Sequence, residues 1–275
     1  MTNCKYLAID AGGTYFKYAL MDENAAFLTE IKKEPVNEKG EVKEILSLYE
    51  RIFKESGDFS CVCISTPGPF DLKNGKSLMK HKFKAIYGIP LKDELERLSG
   101  AKVFFMSDSN AFLLGEARGK YQNAIGISIG TGFGFSAMKD GELCTDENGG
   151  PCEKPYNVPY KGMTVEDFIS GRGISKRYEA LSGKYADAKE IAERAFGGEK
   201  EAILVYKEMG NAIGEVLKPY IKKYNSDIVL VGGQLAKSFE LFESSIEADV
   251  KIRASENTEG AALIGAACYG REQFH

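Results

Sequence analysis

Along the chain, apolar runs alternate with polar and glycine-rich breaks in two rhythms. Period-two and unbroken apolar runs predict strands at 5–10, 15–21, 25–33 and 60–65. Helix-like spacing falls at 40–56 and 90–99, and "TPGPFDLKNGK" between them reads as a Pro/Gly loop. The stretch "VFFMSDSNAFLLGEARGK" then reads as a strand, a polar corner at Ser107 to Asn110, and an amphipathic helix starting at about Ala111. From about residue 121 the pattern starts again. "YLAIDAGGTYFKYALMDENAAFL" and "AIGISIGTGFGFSAMKDGELC" each give strand, small-residue turn with Gly and Thr, strand, and short polar turn, which is the mark of an internal duplication. A third glycine corner, "IVLVGGQLA" at 228–236, ends a β-branched strand and opens a helix. Strands alternating with helices in two related halves predict an α/β protein.

Composition narrows the classes of function. In 275 residues, 43% hydrophobic and 28% charged content is ordinary for a globular chain, and a formal net charge of -4 offers no general attraction to nucleic acid or anionic lipid. The first strand begins close to Met1, and the longest apolar stretch is broken by glycines, so neither an export signal nor a membrane span is expected and the cytoplasm is the expected location. The six cysteines are scattered, and Cys61 and Cys63 share one strand face, as packed core thiols would. With only His81 and His275 as histidines, there is no HExxH or paired CxxC zinc pattern, nor a GxSxG elbow to serve a hydrolase triad.

The glycine corners carry the chemistry. An acid and two glycines interrupting an apolar run at Asp10, Gly12, Gly13 and Thr14 read either as an ordinary hairpin turn or as a place where backbone N–H groups approach a ligand. The repeated corner at Gly130, Thr131 and Gly132 favours the second reading. Backbone N–H groups and a hydroxyl donate to phosphate oxygens, so these two turns are expected to hold a triphosphate from both sides. Asp10 cannot bind an anion itself, but it can hold Mg²⁺, directly or through its water shell.

The ordered set DxGGT, PGP, DxNA, GTGxG and a VGG corner resembles the ROK family of bacterial sugar kinases, within the fold of actin-like, hexokinase-like and Hsp70-like ATPases. The resemblance implies two RNase H-like domains with an interdomain cleft. They would span 1–118 and 119–256, with the C-terminal helix of 257–275 packing back on the first. It implies ATP and Mg²⁺ as cofactors, a hexose as substrate, and a homodimer as the usual assembly. It makes Asp108 the base that takes a proton from the attacking sugar hydroxyl. It adds Gly232 and Gly233 to the ATP-binding set, and Gly68, Ser107, Asn110, Glu153, Tyr156 and Glu166 to the sugar-binding set. His81, in the loop after PGP, would lie at the sugar's rim or touch it.

Departures from the family pattern are specific. Ser107 stands where Asn is common, Tyr156 stands where a His would touch sugar and zinc, and the family's cysteine cluster is missing, so structural zinc is not expected. Each acid also has a simpler reading. Asp108 can also be read as a helix cap, unless the helix begins at Ala111 and Asn110 caps it. Glu153 and Glu166 can also be read as solvated carboxylates. The same family includes sugar-responsive repressors with a helix-turn-helix domain ahead of the first strand, and Asp10 stands too close to Met1 for one to be expected here. A sugar-binding protein with weak or no kinase activity is the alternative that the altered loop leaves open.

Overall fold

The computed structural model describes residues 4–80 and 82–275, so His81 lies outside the described residues. In chain order the longer strands and α-helices are β1 (Tyr6–Ala11), β2 (Tyr15–Met21), β3 (Lys32–Pro35), α1 (Val42–Ser56), β4 (Cys61–Thr66), α2 (Leu91–Ser99), β5 (Lys102–Ser107) and α3 (Asp108–Ala117). They continue with β6 (Ala124–Ile129), β7 (Phe133–Lys139), β8 (Glu142–Leu143), α4 (Val165–Ile169), α5 (Gly171–Ser182), α6 (Ala188–Phe196), α7 (Lys200–Tyr224), β9 (Ile228–Gly232), β10 (Lys251–Ala254) and α8 (Ala261–Phe274). Among the described residues no helix is long and apolar enough to cross a membrane.

The chain divides into two compact units. One comprises the residues up to Glu116 together with Thr145–Pro151 and Glu259–His275, and the other comprises Ala117–Cys144 and Cys152–Thr258. The first holds a five-stranded sheet in the order β3-β2-β1-β4-β5, and the second a five-stranded sheet in the order β8-β7-β6-β9-β10. In both, the first two pairings are antiparallel and the last two parallel. The duplication visible in the two hairpins therefore extends through all five strands of each sheet.

In the first unit the central strand is covered on both faces, since Tyr6, Leu7, Ala8 and Ile9 are all fully buried. Leu7, Ile9, Val62, Ile64, Val103 and Phe105 form one core with Ile45, Leu48, Tyr49, Ile52 and Phe53 of α1, whose spacing places them along one helical stripe. The opposite face, with Cys61 and Cys63, meets α8. Those two thiols are buried, free and 3.7 Å apart, and the hydrogen bond between them is the first cause, ahead of burial, holding the Cys63 thiol well above its usual range.

Helix α8 approaches its neighbours at backbone distance. A Cβ added to Gly265 would stand 1.9 Å from the Ala111 carbonyl oxygen of α3, and one added to Gly115 of α3 would stand 1.9 Å from the Ala261 carbonyl oxygen. Neither obstacle is a movable side chain, so the helices would have to separate. Gly265→Ala is therefore expected to destabilise the first unit by about 1–3 kcal/mol, the usual range for overpacking. Thermal unfolding checks this, and an unchanged melting temperature would contradict the close helix contact.

The structure corrects three expected elements. The strand expected at 25–33 is the edge strand β3, Lys32–Pro35, and Ala25–Ile31 forms the connection to it. Lys32, Lys33 and Pro35 are exposed, so pairing with β2 rather than burial makes them a strand. The helix expected from Ala111 begins three residues earlier, at Asp108. The corner after β9 opens a kinked 3₁₀ segment, Gln234–Leu241, rather than an α-helix.

Candidate active site

The expected site residues divide between the two units. In the first, Asp10 sits near the end of β1, directly opposite Ser65 of β4 and Lys17 of β2 in register. Ser65 is fully buried and donates its hydroxyl to Asp10 Oδ1 at 2.9 Å. Burial pushes the Asp10 carboxyl up, while Lys17 and Ser65 draw it back down. Ser65 is a site residue that no motif flagged. Its signal was a second polar residue interrupting an apolar strand, "CIST", at the position that parallel pairing places beside Asp10.

Asp108 follows at the junction of β5 and α3. Ser107 caps this helix, its Oγ accepting the Asn110 N–H at 3.2 Å, which replaces the expected cap at Asn110 and assigns capping to neither acid nor amide. Asp108 is thereby the first helical residue. Its Oδ1 accepts the Ser109 N–H at 2.7 Å, and the side chain reaches solvent with protein packed around it. That surrounding protein is the first cause raising its carboxyl to about 6. The negative charge of Asp10 is the second, while Ser109 and Lys82 act in the opposite direction. A carboxylate whose proton affinity is raised close to neutral pH by burial and a second acid is a common sign of acid–base work. Asn110 is buried and donates from Nδ2 to the Gly149 carbonyl at 3.3 Å. Gly68 lies on the exposed loop after β4.

The hairpin turn of the first unit has its own internal closure. The Gly12 N–H donates to the Asp10 carbonyl at 3.0 Å, so it is not a spare donor for a ligand. A Cβ on Gly12 would stand 2.8 Å from the Tyr15 carbonyl oxygen, which is backbone and cannot give way. Gly13 faces outward, where a Cβ would meet only Glu38 Oε2 at 3.2 Å and Lys82 Nζ at 3.8 Å, and Thr14 beside it is exposed.

In the second unit the corresponding turn is closed by the Gly130 N–H donating to the Gly132 carbonyl at 3.0 Å. A Cβ on Gly130 would have nothing within 4 Å, and Thr131 is exposed. Glu166 of α4 comes to this turn, where its Oε2 accepts the Phe133 N–H at 3.0 Å and its Oε1 pairs with Arg172 at 2.9 Å. The structure thus brings together Glu166, expected to face sugar, and Gly132, expected to face phosphate, since a Cβ on Gly132 would stand 2.6 Å from Glu166 Oε2. Arg172 was missed because "SGRGI" carries no motif that ties the arginine to Glu166.

Glu153 lies elsewhere in the second unit. It is paired with Lys223 of α7 and accepts the Tyr224 hydroxyl at 3.0 Å, and the hydrogen bond from Lys223 holds its carboxyl below its usual range. It is a neutralised carboxylate rather than a solvated one. Cys152 lies 3.1 Å from the same Tyr224 hydroxyl, and Tyr156 is exposed in a 3₁₀ turn, Pro155–Asn157. Among the described residues no group of three or more His, Cys, Asp or Glu side chains is placed to hold a metal ion. Gly232 ends β9 opposite Ser128. Gly233 has φ 82° and packs so closely on Ile129 that a Cβ would stand 2.4 Å from its carbonyl oxygen, a structural reason for glycine with no ligand needed.

Known proteins resemble this chain in sequence and in fold. A glucokinase of Thermotoga maritima is 26% identical over the whole of this chain and 99% of its own length. An N-acetyl-D-glucosamine kinase of Haemophilus influenzae is 23% identical, covering 87% of each chain. The solved structure of a ROK family glucokinase from Streptomyces griseus, in complex with glucose and AMPPNP, superimposes with a TM-score of 0.80 at 21% identity over 98% of this chain and 99% of its own. The two five-stranded sheets therefore have the actin-like ATPase fold of ROK sugar kinases. The ROK family model matches residues 6–272, nearly the full length, and the chain belongs to the ROK family.

Proposed function

We propose that the protein is an ATP-dependent sugar kinase that transfers the γ-phosphate of ATP to a hydroxyl, expected to be the 6-hydroxyl, of a hexose such as glucose or a related sugar. The observation that carries this reading is Asp108, an accessible carboxylate at the start of α3 whose proton affinity is raised toward neutrality beside Asp10. Relatives named glucokinase and N-acetyl-D-glucosamine kinase support the class of substrate.

On this reading Asp108 accepts the proton of the attacking hydroxyl, and Asn110, held by the Gly149 carbonyl, orients the sugar. Ser107 is committed to capping α3, so its part at the sugar is to fix where Asp108 and Asn110 point. Asp10 is a hard oxygen donor whose charge raises the proton affinity of Asp108, and a divalent cation at Asp10 would offset that charge, which fits Mg²⁺ arriving with the nucleotide. Asp10 would hold that ion, and the ion supplies neutralisation of phosphate charge. Gly13 and Thr14, and Thr131 with Gly132, are the backbone approaches proposed for the phosphates. Glu153 and Glu166 each retain acceptor capacity for sugar hydroxyls beyond their present partners.

The test is ADP release with a panel of hexoses and amino sugars, followed by the pH profile on the best substrate. The base must be ionised, so kcat/KM is expected to rise with pH through an apparent pKa of about 6 and then level off. Sugar binding without ADP release from any member of the panel would favour a sugar-binding ROK protein instead.

A further inference from the structure

A lysine outside every recognised motif stands close enough to the proposed base for its charge to act on it. Lys82 lies in the loop leading to α2, and its successor Phe83 has φ 45° and ψ 42°, a left-handed backbone that a bulky residue adopts only under constraint. The constraint is visible. The Phe83 ring is 3% exposed in the core of the first unit, with its centroid 6.2 Å from that of Phe16 on β2. Pinning Phe83 inward sends half-buried Lys82 toward the turn between β1 and β2, where its Nζ lies 3.8 Å from the position of a Cβ on Gly13. From there its charge reaches Asp108, opposing the effect of Asp10. Glu38 also faces Gly13, but Lys82 forms no ion pair with a carboxylate among the described residues. The ammonium group therefore has a charge to offer an incoming anion, at the one glycine of this turn that faces outward.

We propose that Lys82 is a catalytic cation that contacts the γ-phosphoryl group of a nucleoside triphosphate seated at the Gly13 turn. The proposal rests on the kinase reading. As the sugar oxygen forms its bond to the γ-phosphorus, the bond from that phosphorus to the β,γ-bridging oxygen breaks. ADP leaves with the electron pair, and the hydroxyl proton passes to Asp108. Lys82 stays protonated throughout, neutralising charge on the oxygens in transfer. It also favours the ionised form of Asp108 that the step requires.

Binding of AMPPNP and of ADP to the full chain, measured by calorimetry on wild type, Lys82→Met and Lys82→Arg, separates this role from a structural one. Lys82→Met keeps the length and the apolar stem. It is expected to lose about tenfold in affinity for AMPPNP with little change for ADP, because ADP lacks the phosphoryl group in question. Turnover should fall about 10²-fold, the acid limb of kcat/KM should move above its wild-type pKa of about 6, and Lys82→Arg should recover most of both. Equal losses for AMPPNP and ADP, or normal turnover with an unmoved acid limb, would overturn the assignment. If wild type turns over no sugar while Lys82→Met still loses AMPPNP selectively, the kinase reading fails and the phosphate contact stands. If wild type is an active kinase and Lys82→Met matches it, the contact fails and the kinase reading stands.

Discussion

Asp108→Asn is expected to lower turnover by about 10²–10⁴-fold, the usual worth of a general base, while the melting temperature holds or rises. Both halves of this expectation follow from the geometry. The amide retains an oxygen to accept the Ser109 N–H, and the cap of α3 belongs to Ser107, so neither the helix start nor its position depends on the carboxylate. The direction of the stability change comes from the raised proton affinity. A carboxyl whose pKa is about 6 in the folded chain, against 3.8 in its absence, binds its proton more tightly when folded. Its contribution is most favourable below the unfolded value and is lost as pH rises through about 6, so at pH 7 and above the ionised group opposes folding. Asparagine removes that opposition together with the repulsion from Asp10, and stability should rise slightly as activity collapses. Sugar and AMPPNP binding should persist, because the amide still hydrogen-bonds a hydroxyl. A stable variant with near-normal turnover would remove Asp108 from the mechanism. A variant that unfolds would show that the carboxylate is a structural group.

What could be read from the chain, and what could not, divides along the range of the interactions involved. The β1–β2 and β6–β7 hairpins were legible because apolar runs broken by DAGG and GTG announce strand, turn and strand locally. The start of α3 was not, because "SDSN" supplies consecutive residues that can all cap a helix, and only the Ser107 to Asn110 hydrogen bond fixes the phase. β3 escaped because a polar edge strand exists through pairing, and its sequence "KKEP" has no buried face to display. Side-chain partners distant in sequence were hidden for the same reason. Nothing near Glu153 announces Lys223 or Tyr224 on α7, and nothing near Asp10 announces Ser65. Structural reasons for glycine were hidden as well. Gly233 is accounted for by its approach to Ile129, and the N–H groups of Gly12 and Gly130 close their own turns.

That sorting of glycines decides which substitution tests the nucleotide reading most cleanly. A side chain at Gly132 would strike Glu166 Oε2 and disturb its bond to the Phe133 N–H, so a loss of activity there would have two explanations. At Gly12 the obstacle is the Tyr15 backbone, and a loss could be one of folding. Gly130 is free of both objections, and Gly13 is free of the second. A Cβ on Gly130 meets nothing within 4 Å, and one on Gly13 meets only the ends of Glu38 and Lys82, long side chains that can shift. Comparison with Lys82→Met separates a blocked phosphate from a displaced lysine at Gly13. Neither position has a left-handed backbone, so a Cβ brings no conformational strain. Gly130→Val and Gly13→Val should therefore fold with melting temperatures close to wild type. If phosphates approach these turns at backbone distance, the added methyl groups occupy the space of the ligand and displace it by about an ångström or more. A displacement of that size costs on the order of 10²-fold or more in kcat/KM for ATP. Sugar affinity, measured without nucleotide, should be unchanged in both. The alanine variants should fall between wild type and valine, since a single methyl group fills less of the same space. A stable Gly130→Val protein with normal ATP kinetics would remove the β6–β7 turn from the nucleotide site, and the same result at Gly13 would remove the β1–β2 turn. Each unit's part in nucleotide binding is thus tested by a residue whose only evident reason to be glycine is the space it leaves open.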